Sequence, residues 1–198
     1  MSADRATSAL KIDELVVTST GISGLMVLSV KKVTEPRGEV RELYRRSRYS
    51  DQVPGVSASW DQINLTATKQ GAVRGLHGEQ MQKLVTVASG RAFGVYVDAR
   101  IGSPTRGAVE TVDLVPGIQV LVPSGVCNGF QATGSGITEY LYFFDQEWKS
   151  GMPGVAINPL DRELAIAWPI LIDSADESQI SAKDASAPSL SEVLAAEA

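Results

Sequence analysis

One histidine and one cysteine are all that the 198 residues contain, and this scarcity removes several kinds of chemistry at once. Cys127 has no second cysteine with which to close an intramolecular disulfide or to build a cysteine-cluster zinc site, and a reducing compartment fits. Catalytic zinc or iron usually needs two or three imidazoles, so His77 alone does not make a metal centre. Long apolar runs are missing too. No stretch approaches the roughly 20 apolar residues that span a bilayer, and Met1–Lys11 lacks the basic-then-apolar pattern of a secretory leader. Nor is there an excess of positive charge: 18 Lys and Arg stand against 23 Asp and Glu, a net charge of -5, which gives no general attraction to nucleic acid or an anionic membrane. These absences predict a soluble, cytoplasmic, metal-free protein whose partner is a small molecule or another protein.

What is present is a succession of short apolar or alternating runs. They cover Leu25–Val30, Trp60–Thr66, Lys83–Ala88, Ala92–Val97, Val109–Val115, Gln119–Pro123 and Ile137–Phe144. Runs rich in Val, Ile, Thr, Tyr and Phe, separated by Gly, Pro, Ser and Asp, predict an antiparallel sandwich or barrel rather than βαβ units. The chain reads as one all-β domain, residues 1–198. Ser189-Leu190-Ser191-Glu192 predicts a capping box opening a C-terminal helix within residues 186–198. Residues 1–18 show no strong periodicity and predict a loose arm, or a strand that finds its partner elsewhere.

One cluster could carry chemistry. Arg74-Gly75-Leu76-His77 follows a strand-like stretch, and Lys83 heads another six residues later. If the two strands are barrel neighbours, Arg74, His77 and Lys83 can reach one cavity. Taken in isolation, the plainer reading is a solvated histidine in a turn and a lysine guarding a sheet edge. A Cys127–His77 nucleophilic pair has little support, because Cys127 reads as part of an apolar turn with no activating motif beside it.

An ordered set of motifs outweighs the plain reading. Arg74-Gly75-Leu76-His77, Lys83-Leu84-Val85, Val97-Asp98-Ala99-Arg100, Gly102-Ser103-Pro104-Thr105, Pro123-Ser124-Gly125-Val126-Cys127-Asn128-Gly129-Phe130, Tyr140-Leu141-Tyr142, Ile166-Ala167-Trp168-Pro169 and Ser181-Ala182-Lys183-Asp184 occur in that order. Over about residues 36–188 the chain resembles the dTDP-4-dehydrorhamnose 3,5-epimerase family of deoxysugar biosynthesis. The resemblance implies a cupin-like jelly roll, a homodimer, a dTDP-linked 4-keto-6-deoxy sugar as substrate, and no cofactor. It implies His77 as base, Asp184 as the carboxylate orienting it, Tyr142 as the acid on the opposite face, and Lys83 as the cation near the sugar's carbonyl oxygen. Arg74, Arg37, Glu42, Gln62 and Asn64 match positions that contact sugar or nucleotide, and Trp148 is placed to stack on a base.

The chemistry needs these types of residue. A hydrogen on carbon beside a ketone becomes removable once the developing enolate oxygen is stabilised. An imidazole, with an ordinary pKa near 6.5, suits proton removal at neutral pH, and a carboxylate fixes its tautomer. Inversion needs a second proton source on the other face of the ring.

Two positions depart from the family pattern. The histidine of Pro-x-Gly-x-x-His-Gly-Phe is Asn128 here, and the strand aspartate that accompanies it is Gly94. An amide cannot take up a proton near neutral pH, so inversion of a single carbon, C3 or C5, is favoured over inversion of both. The segment between His77 and Lys83 is also short. Two alternatives stand beside the epimerase: a non-catalytic protein that binds a sugar nucleotide, and a 3,4-ketoisomerase, which is associated with a pair of histidines that this chain lacks.

Overall fold

The computed structural model describes residues 10–196. In chain order it runs through β1 (Lys11–Asp13), β2 (Val16–Ser19), β3 (Met26–Ser29), β4 (Lys32–Glu35), β5 (Gly38–Arg41), helix α1 (Arg46–Gln52), β6 (Gln62–Lys69) and β7 (Val73–Glu79). There follow β8 (Lys83–Ser89), β9 (Ala92–Asp98), β10 (Val109–Leu114), β11 (Ile118–Val122), β12 (Val126–Ala132), β13 (Ile137–Phe144) and β14 (Gly154–Ala156). A 3-10 turn at Arg162–Leu164 and two short helices, α2 (Ala182–Ala185) and α3 (Leu190–Ala196), complete it.

Two antiparallel sheets make the body. One has the order β2-β3-β11-β8-β13-β6 and the other β10-β9-β12-β7-β14, while β1, β4 and β5 form a small separate sheet. Alternation sorts the side chains. On β8, Val85 and Val87 face the space between the two sheets, and on β13 Tyr140 does the same. They meet Tyr96, Leu114, Val126 and Phe130 from the other sheet in a core that excludes water. Each such side chain, fully buried, contributes about 1.5–3 kcal/mol. The intervening residues serve two outer layers. Leu84, Leu121 and Phe143 pack under α1 and the segment around Trp60. Val95, Val97 and Cys127 pack under the C-terminal segment through Ile157, Leu164, Leu190 and Val193. This is the all-β, cupin-like jelly roll with short C-terminal helices that the strand spacing, the capping box and the family resemblance together led one to expect.

Several local expectations changed. Val126–Ala132 is no turn but a central strand, buried at every residue. Its Val-Cys-Asn-Gly-Phe-Gln-Ala sequence hides this because both faces are covered, so no polar alternation is needed. The N-terminal arm is not loose from residue 11 onward: β1 pairs with β4 and β2 with β3. Such short strands offer too few residues to show a period. Residues 1–9 of the expected arm lie outside the described residues, as do residues 197–198 of the expected helix. The capping box forms as expected: Glu192 N–H donates to Ser189 Oγ at 3.2 Å and Ser189 N–H to Glu192 Oε2 at 2.8 Å.

One quoted motif proves architectural. Buried Asp98 accepts from Arg100, Ser103 and Thr105, with Arg100 Nε at 2.8 Å and Thr105 Oγ1 at 2.6 Å. Burial alone would raise its carboxyl, but these donors hold it well below the ordinary range. The cluster fixes the turn that joins β9 to β10. Among the described residues, no helix is long and apolar enough to cross a membrane.

Candidate active site

Between the ends of β6, β7, β8, β12 and β13 the barrel opens into a cleft of about 500 Å³. Its floor depends on an irregularity in β7. His77 lies opposite Asn128 and Arg74 opposite Phe130, so three steps along β7 match two along β12. Strict alternation would send Arg74 and His77 to opposite faces; the extra residue brings both to the cleft. Gly75, at φ +114°, occupies the irregular stretch. A Cβ there would stand 2.6 Å from Gly129 Cα and 2.8 Å from the Asn128 carbonyl oxygen, so no larger residue fits.

His77 Nε2 lies 2.7 Å from Asp184 Oδ1. Asp184 is placed by the first turn of α2, where Ser181 Oγ accepts from its N–H at 3.1 Å, and its second oxygen accepts from Gly75 N–H at 3.4 Å. Burial pushes this carboxyl up, but the hydrogen bond with His77, with those from Ser181 and Gly75, brings it below its ordinary value. An ionised carboxylate only accepts, so Nε2 carries the imidazole proton and Nδ1 holds the lone pair.

Tyr142 enters from β13, stacked on Phe144 with ring centroids 5.7 Å apart and tilted against Tyr140 at 4.8 Å. Burial raises its phenol well above the usual value, with Arg74 opposing and Glu79 adding to the rise. The group therefore stays protonated at neutral pH. Lys83, only 4% exposed, donates to Asn128 Oδ1 at 2.7 Å, to the His77 carbonyl oxygen at 3.2 Å and to the Glu79 carboxylate. Arg74 Nε donates to Thr68 Oγ1 at 3.0 Å.

Of the residues singled out in the sequence, His77, Asp184, Tyr142, Lys83, Arg74, Asn64, Asn128 and Trp148 line the cleft. Gln62 stands behind it, accepting from the Trp148 backbone N–H at 2.8 Å and donating to Asn64 Oδ1 at 3.1 Å. Arg37 and Glu42 are not brought there. Arg37 is 83% exposed at the β4–β5 turn and paired with Glu35, while Glu42 is held by Arg45 and Arg48. Glu79 and the stretch from Glu177 to Ile180 also line the cleft and had not been singled out. Had β7 been read as a strand, two-residue alternation from His77 would have found Glu79. No local signal marks residues 177–180, which reach the cleft because Val73 N–H donates to the Gln179 carbonyl at 2.6 Å.

Fold and cleft together define a jelly-roll enzyme of the isomerase class. A family model described as dTDP-4-dehydrorhamnose 3,5-epimerase matches residues 19–192, and the chain belongs to that family. It is similar to a dTDP-4-dehydrorhamnose 3,5-epimerase of Streptomyces griseus, 33% identical over 87% of this chain and 85% of the relative. It is also similar to a dTDP-4-dehydrorhamnose 3-epimerase of Streptomyces niveus, 32% identical over 75% of this chain and 73% of that one. Among solved structures, the dTDP-6-deoxy-D-glucose-3,5-epimerase of Legionella pneumophila, in complex with dTDP-4-keto-L-rhamnose, superposes with a TM-score of 0.80. It is 30% identical, over 91% of this chain and 97% of that one.

Proposed function

We propose that the protein inverts C3, C5 or both of a dTDP-linked 4-keto-6-deoxyhexose in deoxysugar biosynthesis. The observation that carries this reading is the pairing of the His77–Asp184 couple with a protonated Tyr142 around one cleft. His77 Nδ1 removes the proton next to the C4 ketone, and Asp184 stabilises the imidazolium that results. Tyr142 returns a proton from the other face of the ring. Arg74, Asn64 and Trp148 bind sugar or nucleotide, and Gln62 braces Trp148. Resetting the enzyme needs only the transfer of one proton, through solvent, from His77 to the phenolate. Nothing is oxidised, so no redox cofactor enters the balance.

The test is incubation with the keto sugar nucleotide in deuterated water, with deuterium located by NMR. Label at C3 alone, C5 alone or both identifies the carbon inverted. Tight binding without label above background would replace the epimerase with a binding protein.

We also propose a cytoplasmic homodimer. Exposed Ile12 and Val40 on the small sheet and Ile63 and Leu65 on edge strand β6 support pairing with a second copy. So does the position of Arg37 and Glu42, which in one chain do not line the pocket they are expected to serve. Sedimentation at twice the chain mass is the expected result.

A further inference from the structure

Lys83 is a poor direct partner for a substrate in this chain. An ammonium has three N–H donors, and its three acceptors are already in place: Glu79, Asn128 Oδ1 and the His77 carbonyl oxygen. Its charge is also balanced. Burial would raise the Glu79 carboxyl, but the adjacent ammonium keeps it below its ordinary value and therefore ionised. A group with no free donor and a paired charge offers little to a carbonyl oxygen entering the cleft.

Asn128 offers what Lys83 cannot. Because an ammonium only donates, the amide must present Oδ1 to Lys83, and Nδ2 is left on the other side. Asn128 lines the cleft directly across the β7–β12 ladder from His77. Its Nδ2 hydrogens meet no acceptor among the described residues. Polarisation by the ammonium behind Oδ1 strengthens the amide as a donor.

We infer that Asn128 Nδ2 is the donor that receives the charge developing on the sugar's C4 oxygen, with Lys83 and Glu79 as positioning residues behind it. The inference rests on the epimerase reading. When the C–H bond beside the ketone breaks, the proton passes to His77 Nδ1 and the electron pair moves onto the carbonyl oxygen. That oxygen accepts a hydrogen bond from Nδ2–H, and no proton leaves the amide. When Tyr142 delivers its proton to carbon, the pair returns and the ketone is restored. Position 128 thus holds a second, proton-inert member of the catalytic set.

The test uses Asn128→Asp and Asn128→Leu, with proton exchange followed in deuterated water. The aspartate keeps an oxygen on Lys83 and loses the donor; the leucine keeps the volume and loses both. Removing one such donor is expected to lower kcat about 10²-fold to 10³-fold, with KM for the sugar nucleotide within about threefold and dTDP binding retained. In the wild type carrying 15N-labelled asparagine, the Asn128 side-chain amide proton should move downfield when the keto sugar nucleotide is added. That readout stands even if both variants fail to fold. An unmoved amide, or kcat within threefold of wild type in both variants, overturns the inference. A wild type that binds the sugar nucleotide and exchanges nothing removes the epimerase reading itself, whatever the amide does.

Discussion

His77 and Asn128 face each other across the same pair of strands, yet they are equipped for opposite tasks. The imidazole is backed by a carboxylate delivered from 107 residues away, which fixes its tautomer. The amide is backed by an ammonium, which lowers any tendency to accept one and sharpens its donors. In the proposed mechanism, the sign of the charge behind each side chain decides whether the position moves a proton or holds an electron pair. The surroundings of position 128 agree with this. A Cβ at Gly94 would lie 2.8 Å from the Tyr96 hydroxyl and 3.1 Å from a Leu114 methyl, so Tyr96 fills the space where the family pattern calls for an aspartate.

The comparison breaks most visibly at His77. His77→Asn should lower solvent exchange about 10³-fold or more while leaving dTDP affinity within a few-fold, since general acid–base groups contribute about 10² to 10⁴; wild-type exchange rates in this variant would sink the mechanism. Tyr142→Phe should reduce inversion about 10²-fold and exchange by less, read as the ratio of inverted product to deuterated starting sugar. Rebuilding the family's pair with Gly94→Asp and Asn128→His should not yield a second base. Overpacking against Tyr96 is expected to cost about 1–3 kcal/mol, measured by denaturant unfolding.

The smallest effect is on acid stability. The Asp184 carboxyl is lowered in the folded chain, so its contribution is fully present above the unfolded value, about 3.9, and is lost as pH falls through the lower folded value. In His77→Asn the main donor is gone and the lowering shrinks. The variant should therefore be less stable than wild type above pH 4 and converge with it toward pH 2, read as the melting temperature across that range.

The strand spacing announced a sandwich or barrel because strands with one face on the core alternate visibly, as in Ile137–Phe144. It did not announce β7 or β12, the strands that carry His77 and Asn128. β7 contains Gly75 and a bulge, and β12 is buried on both faces; either condition erases a two-residue period. His77, Asp184 and Tyr142 were legible only as members of an ordered set of motifs, because nothing local tells a buried, bonded Asp184 from a solvated acid. Glu79 went unread for lack of a strand assignment. Arg37 and Glu42 matched by order along the chain, which carries no distance information, and in a single copy they do not line the cleft.

The carboxylate behind His77 has a consequence for the order of synthesis. A nascent chain that has emerged as far as Phe144 contains every strand of both large sheets except β14, together with the imidazole, the tyrosine and the lysine. It does not yet contain Asp184. Asp184 reaches His77 only through the C-terminal segment, which packs under the five-stranded sheet through Ile157, Leu164, Leu190 and Val193. A chain cut short after Phe144 would lack the carboxylate partner of His77 and would leave the apolar outer face of the five-stranded sheet, at Val95, Val97 and Cys127, uncovered.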